Sequence, residues 1–462
     1  MKDFEIAVYG LGVMGSSLAK NLISKGFRTA LFGKTQGERE RFQSQGDYAV
    51  FSTEEDLVKS LKSPKIIFMM VTAGNAVDSV IDGLLPLLDE GDILIEGGNS
   101  YFKDSQRRYR FLSEKGIHFL GVGVSGGEKG ALTGPSMMVG GSKEAWDSCG
   151  HILKRMAAKV GDEYCCSFLG KEGAGHYVKM VHNGIEYAMI QVIADVYSVM
   201  RDGLHLSHQE ITEIFHRWKD TELSSYLIDI TAAVLGKNDV DGQPLVEKIL
   251  DVAKQKGTGS WTLEEAIARG VYIPTICESV FARYFSADRQ LRFDGSQALK
   301  ATTIPMTMEN HEEKLKDALY LAMIVSYAQG IALIKKASDD YGWEIDLPLA
   351  VSLWREGCII RSDLLKDITK ALTQSNKNIL LSRNFGDLEK NQQALREISA
   401  KVVETGVAVP TLMSVISYYD RCRTEKMNVN IVQGLRDCFG AHTYERRDME
   451  GSFHTAWLEG EE

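Results

Sequence analysis

Residues 4–19 read FEIAVYGLGVMGSSLA: an apolar run, then glycines at 10, 12 and 15, then a helical pattern. A chain that must leave a strand, turn at once and enter a helix packed on that strand has few folds open to it. Gly10 permits the tight turn, Gly12 lets a ligand approach the backbone, and Gly15 lets helix and strand pack closely. The helix N-terminus presents unpaired N–H groups to an anion. These glycines, with Leu11, Val13 and Met14 between them, are expected to hold the pyrophosphate of a dinucleotide.

The pattern after this junction repeats it. RTALFG, IIFMMV, DILIEGG and IHFLGVGV are further short runs rich in Val, Ile and Phe, and helical stretches such as GNAVDSVIDGLLPLL lie between them. Such alternation implies a parallel sheet covered by helices. After about residue 173 strand signals nearly vanish, and long helical patterns run to about residue 430, among them EKLKDALYLAMIVSYAQGIALIKKA. The expected architecture is an α/β Rossmann-type N-terminal domain (1–172, dinucleotide-binding), a large all-α domain (173–430) and a C-terminal tail (431–462).

Composition narrows the setting. The hydrophobic fraction of 44% and charged fraction of 25% are those of a soluble globular protein. A formal net charge of −10 argues against nucleic acid or an anionic membrane as the main partner. The seven cysteines lack CxxC spacing, which fits reduced thiols in a cytoplasmic protein and no metal site. Neither a signal peptide nor a membrane-spanning apolar run is expected.

The second strand ends in LFGKTQGER, where NAD sites usually place an acidic residue. Gly33, Lys34 and Thr35, helped by Arg39, suit a 2′-phosphate, so the expected cofactor is NADP. Further on, KMVHNGIEY interrupts an apolar helix. Lys179, His182, Asn183 and Glu186 occupy positions i, i+3, i+4 and i+7, which share one face. Such a stripe is a solvated face or an active site. Gly184 beside it costs about 1 kcal/mol in mid-helix, which close approach by another element would offset. Met180, Val181, Ile185, Met189, Ile190 and Ile193 are expected to be buried.

Three stretches, IEGGNS (95–100), GVSGGEKGALTGPSMMVGG (123–141) and GHYVKMVHNGIEY (175–187), occur with QKGTGSWT (255–262) and RDCFGAHTYER (436–446). Together they closely resemble the decarboxylating 6-phosphogluconate dehydrogenases over nearly the whole chain. The resemblance implies oxidation of 6-phosphogluconate at C3, loss of CO2 and protonation at C1 to give ribulose 5-phosphate. It implies Lys179 as base and Glu186 as acid, with Asn99, Ser125, Gly126, Gly127, His182 and Asn183 on the sugar acid. Tyr187, Lys256, Thr258 and Arg283 would hold the phosphate. Arg436 and His442 would reach into the partner of a homodimer to complete its site. Burial under the bound cofactor would lower the lysine's pKa and raise the glutamate's.

The chain also departs from the family. Val71-Thr72-Ala73 stands where relatives have Val-Lys-Ala, and Gly33-Lys34-Thr35 where they have Asn-Arg-Thr. Both changes touch the cofactor grip, which Asn99 is also expected to share, and ALTGPS replaces larger residues beside the SGG loop. Two rivals remain at this level: a β-hydroxyacid dehydrogenase acting on an unphosphorylated acid, and a nucleotide-binding sensor without turnover.

Overall fold

The computed structural model describes residues 3–255, 257–301, 304–375 and 377–458. They form two compact units, Met1–Val415 and Ile416–Glu462.

The first unit begins with the expected strand–turn–helix, β1 (Ile6–Tyr9) and α1 (Val13–Ser24). There follow β2 (Thr29–Phe32), α2 (Gln36–Gln43), β3 (Ile66–Met69), α3 (Asn75–Leu84), β4 (Ile93–Glu96), α4 (Phe102–Ser113) and β5 (His118–Ser125). After α5 (Gly127–Thr133) come β6 (Ser136–Gly141), α6 (Lys143–Met156) and β7 (Cys166–Gly170). The sheet order is β2-β1-β3-β4-β5-β6-β7. The first five strands are parallel, as expected, but β6 runs antiparallel to β5 and only β7 pairs parallel with β6. The sequence reading had not identified β6 or β7, whose serine- and glycine-bearing runs dilute the apolar signal.

Side chains alternate across the sheet with period two. Ile6 and Val8 face one apolar cluster with Leu18, Leu22 and Ile95; Ala7 and Tyr9 face another with Ile67, Met69 and Leu94. Both faces are covered, so β1 to β4 and β6 are buried throughout. The C-terminal ends of the parallel strands (Gly10, Gly33, Val71, Gly97) therefore meet along one edge, where open α/β sheets bind ligands.

The remainder of this unit is helical. Its main supports are α7 (Ala174–Ser198), α8 (Thr258–Arg269), α9 (Pro274–Ala287) and α10 (His311–Tyr341). Helix α10, at 31 residues, is long and apolar enough to cross a membrane by length and composition, contrary to the sequence expectation. Its most apolar stretch is 89% buried inside the protein, so it is a core helix. Gly330 lets it cross α7: a Cβ there would lie 2.4 Å from Ile185. Gln329 serves the core as well, its Oε1 accepting from the Thr275 amide at 3.0 Å at the start of α9.

The second unit holds α11 (Val429–Gly440) and a short hairpin, Tyr444–Glu445 with Ser452–Phe453. Asp437 is its hub. The carboxylate accepts from the Thr443 and Thr455 amides, from His454 Nδ1 at 2.9 Å and from Trp457 Nε1 at 2.7 Å.

Candidate active site

Helix α7 lies directly on β5 because the two strand residues beneath it, Gly121 and Gly123, lack side chains. A Cβ at Gly123 would fall 2.3 Å from the Lys179 Cβ, and one at Gly121 would fall 2.9 Å from His176 Nδ1. On the other side Gly184 fits against α8: a Cβ there would be 2.8 Å from Thr262, whose hydroxyl donates to the Met180 carbonyl at 3.1 Å. The mid-helix glycine is thus explained by close approach. Of the apolar positions on α7, Ile190 departs from expectation. It is exposed and lines an apolar groove with Ile193, Tyr197 and Val234.

The polar stripe is enclosed rather than solvated. Lys179 is 5% exposed, His182 0%, Asn183 9% and the Glu186 side chain 21%. Lys179 Nζ donates to Asn183 Oδ1 at 2.9 Å and lies 3.3 Å from His182 Nδ1. His182 Nδ1 is 4.0 Å from Glu186 Oε2, while its Nε2 is 3.4 Å from Ser125 Oγ. Its ring packs edge-on against Trp354 at 5.7 Å between centroids.

Burial dominates the proton affinities. It pushes the Lys179 amine below its ordinary value, although the Glu186 charge opposes this. It pushes the Glu186 carboxyl up, against the opposing charges of Lys179 and Arg283. His182 is held well below its usual range by burial and by Lys179 beside it, so the imidazole is neutral near pH 7. The protein alone therefore supplies the desolvation that the sequence reading assigned to bound cofactor.

The SGG turn follows β5. Ser125 is buried, and Gly126 and Gly127 have φ of 109° and 61°. A Cβ at Gly126 would lie 2.5 Å from the Gly357 carbonyl. The segment carrying Trp354 and Gly357 thus backs the site from far along the chain, and sequence reading missed it for want of any motif.

Next to the stripe, Tyr187 and Arg283 stack, the guanidinium 3.5 Å from the ring centroid. Arg283 also donates to the Lys254 carbonyl at 3.1 Å. Tyr187 passes over Gly259, where a Cβ would be 2.8 Å from the ring, and this seats it beside Thr258 at the start of α8. Tyr187, Thr258 and Arg283 are brought together; Lys256 lies outside the described residues.

Asn99 is exposed on the loop after β4. Beneath it Glu96 is fully buried, accepting from Ser100 Oγ and from Arg108 Nη1 at 3.0 Å. Arg108 also donates to Asp78 at 2.8 Å and to the Gly74 carbonyl at 3.0 Å. Gly98 lies against Val71, where a Cβ would be 3.3 Å from its carbonyl, so the Val71-Thr72-Ala73 and Asn99 loops are adjacent. Lys103 bonds Glu265 at 2.9 Å and Tyr101 stacks on Trp261 at 4.9 Å, tying α4 to α8.

The dinucleotide end fits its expected ligand. Gly10 has φ of 104° and a Cβ there would be 2.4 Å from the Met70 carbonyl; one at Gly15 would be 1.8 Å from the Gly10 carbonyl. At Gly12, by contrast, a Cβ meets no protein atom within 4 Å, and α1 has no side-chain cap and no acidic residue in its first turn. That is a cradle for a phosphate. Arg41, unforeseen in the sequence, reaches the Leu11 carbonyl at 3.2 Å. Lys34 is exposed, and Arg39 donates to the Gly33 carbonyl at 2.7 Å. Thr35 and Glu38 form a reciprocal cap at the start of α2.

Arg436 and His442 lie in the second unit. Both are exposed; Arg436 reaches Gln433 at 3.3 Å and His442 packs on Phe439.

Comparison with known proteins agrees with this geometry. The family description "NAD binding domain of 6-phosphogluconate dehydrogenase" matches residues 5–170, and "6-phosphogluconate dehydrogenase, C-terminal domain" matches residues 175–457. Two Bacillus subtilis (strain 168) relatives are similar over nearly the full length of both chains. The NAD(+)-dependent decarboxylating 6-phosphogluconate dehydrogenase is 46% identical, covering 98% of this chain and 99% of the relative. The NADP(+)-dependent one is 45% identical, covering 99% and 100%. A solved structure of the Plasmodium falciparum 6-phosphogluconate dehydrogenase superposes with a TM-score of 0.94 at 38% identity, covering 98% of this chain and 100% of that one. That enzyme is described in its apo form and in complexes with NADP+ and with 6-phosphogluconate.

Proposed function

The chain belongs to the 6-phosphogluconate dehydrogenase family, and from that membership we propose that it catalyses NADP-dependent oxidative decarboxylation of 6-phosphogluconate to ribulose 5-phosphate and CO2. One observation carries the mechanism: a buried amine with lowered proton affinity and a carboxyl with raised affinity stand on the same helix face. A neutral lysine can accept a proton and a protonated glutamate can donate one.

Bound NADP supplies the hydride acceptor. Lys179 takes the proton of the C3 hydroxyl as hydride leaves C3, giving a ketone β to the carboxylate. Lys179 then returns its proton to the C3 oxygen as the bond to CO2 breaks, leaving an enediol. Glu186 protonates the former C2, which becomes C1 of the ribulose 5-phosphate released. Neutral His182, with Asn183, Ser125, Gly126, Gly127 and Asn99, orients the sugar acid around C1 to C3. Tyr187, Thr258 and Arg283, joined by Lys256, take the phosphate. Gly10, Leu11, Gly12, Val13, Met14 and Gly15 hold the pyrophosphate. Gly33, Lys34 and Thr35 hold the 2′-phosphate, and Val71, Thr72 and Ala73 border the nicotinamide with Asn99.

The same proposal includes the division at residues 172 and 430 and a homodimer whose tails complete each other's sites through Arg436 and His442. Helix α11 supports it: Ile431, Val432, Leu435 and Phe439 are exposed apolar residues, the kind of face that another surface covers. A cytoplasmic setting belongs to it too, in keeping with seven free cysteines.

The test is the initial rate with 6-phosphogluconate and NADP, following NADPH and CO2 together. Stoichiometric release of both is expected. NADPH without CO2, or no reaction, would refute the proposal. Lys179→Ala should abolish turnover while NADP still binds.

A further inference from the structure

Resting on the reading that the end of β2 receives the adenosine ribose, we propose that Glu38 is a specificity-determining residue that loosens the hold on the 2′-phosphate and admits NAD beside NADP. The carboxylate lies where it would matter. Glu38 Oε2 is 3.3 Å from the Thr35 amide, and Thr35 Oγ1 accepts from the Glu38 amide at 3.2 Å. Thr35 is expected to help hold the 2′-phosphate, and the Glu38 carboxylate occupies its amide while the Glu38 backbone N–H donates to its hydroxyl oxygen.

The missing side chain at Gly33 makes room for this arrangement. A Cβ there would be 3.0 Å from the Glu38 Cβ and 3.3 Å from Oε2. The carboxylate therefore sits against Gly33, the residue just after the strand, the neighbourhood in which NAD enzymes place an acid to bind the 2′-hydroxyl. The local cations offset it only in part. Arg39 is committed to the Gly33 and Lys34 carbonyls at 2.7 and 3.4 Å and lies over the Phe32 ring, while Lys34 is exposed.

The consequence follows from charge. A 2′-phosphate carries close to two negative charges near pH 7 and is repelled by a carboxylate at the same amide. To admit it, Glu38 must release Thr35 and turn outward. A 2′-hydroxyl has no such charge and can donate to the carboxylate where it stands. Glu38 thus works against NADP and for NAD, with Lys34 as the opposing weight.

Glu38→Gln tests this, because glutamine keeps the reciprocal cap and removes only the charge. Kd for NADP and for NAD is measured by titrating the full-length protein, and kcat/KM for each by assay with 6-phosphogluconate. The variant should bind NADP about five- to tenfold more tightly, with NAD unchanged or weaker. Glu40→Gln on the same helix, whose carboxylate accepts from Gln36 at 2.6 Å, should leave the ratio as it is. An NADP-to-NAD ratio within twofold of wild type in Glu38→Gln would overturn the assignment. The binding ratio decides on Glu38 even if 6-phosphogluconate is not turned over, a result that would instead refute the proposed reaction.

Discussion

Gly123 and Lys179 are so closely apposed that one added methyl group on the strand would lie 2.3 Å from the lysine Cβ. The missing side chain in β5 therefore sets the depth at which the lysine stem crosses the sheet. Gly123→Ala is expected to lower kcat/KM about a hundredfold by displacing the amine, and to destabilise by about 1–3 kcal/mol through overpacking. Gly295→Ala, in an exposed helix with nothing within 4 Å, is the control. It should stabilise by up to about 1 kcal/mol. Full activity in Gly123→Ala would show that the lysine position does not depend on this contact.

Burial of Lys179 is a strain on the fold, and under the proposed mechanism it also activates the amine. Its folded pKa lies below the unfolded value, so between the two the unfolded chain holds more protons and wild-type stability rises with pH. Lys179→Met should abolish turnover yet melt higher near neutral pH, by about 1 kcal/mol of added stability. The advantage should shrink as pH approaches the ordinary lysine value of 10.5. Melting curves across pH check this, and a variant less stable than wild type at pH 7 would contradict it.

Arg108 is 1% exposed and pairs with Glu96, also 1% exposed. Its removal strands a buried carboxylate. Arg108→Ala is expected to cost about 3–5 kcal/mol and to raise KM for NADP, because the Gly74 and Asn99 loops lose their common tie. Arg107→Ala, an exposed partner of Asp78, should cost less than about 1 kcal/mol. The bonds from Arg108, aided by those from Arg107, hold the Asp78 carboxyl down at about 2 against burial. Its contribution is therefore complete above the unfolded value of 3.8 and is lost as pH falls through about 2. Urea midpoints between pH 5 and pH 2, comparing Asp78→Asn with wild type, measure it.

In the tail, burial would raise the Asp437 carboxyl, but donation from His454, Trp457, Thr455 and Thr443 outweighs it and holds the group at about 2. Asp437→Ala should expose residues 441–458 to protease and change Trp457 fluorescence. If the tail completes the partner's site, KM for 6-phosphogluconate rises with it. Wild type should keep the tail folded from neutral pH down past 3.8, losing this support only as pH falls through about 2.

Much of the site was legible because it is written in local spacing. Gly10, Gly12 and Gly15 announce a strand–helix turn, and Lys179, His182, Asn183 and Glu186 announce one helix face. Gly184 signalled a close neighbour without naming it. The rest depends on contacts between distant segments. Trp354 and Gly357 carry no local pattern, and Arg41 reaches Leu11 only because α2 folds back towards α1. The alternation of Gly121 and Gly123 was readable in principle, as two small residues on one face of a strand.

The sequence by itself determined which groups share a surface, since helical and strand periodicity are properties of the backbone and need no partner. It could not determine whether that surface met water. Lys179 and Glu186 have shifted proton affinities only because β5, α8 and the Trp354 segment close around them, and desolvation is a property of that enclosure. A charged stripe on an open helix would have the same spacing and ordinary proton affinities.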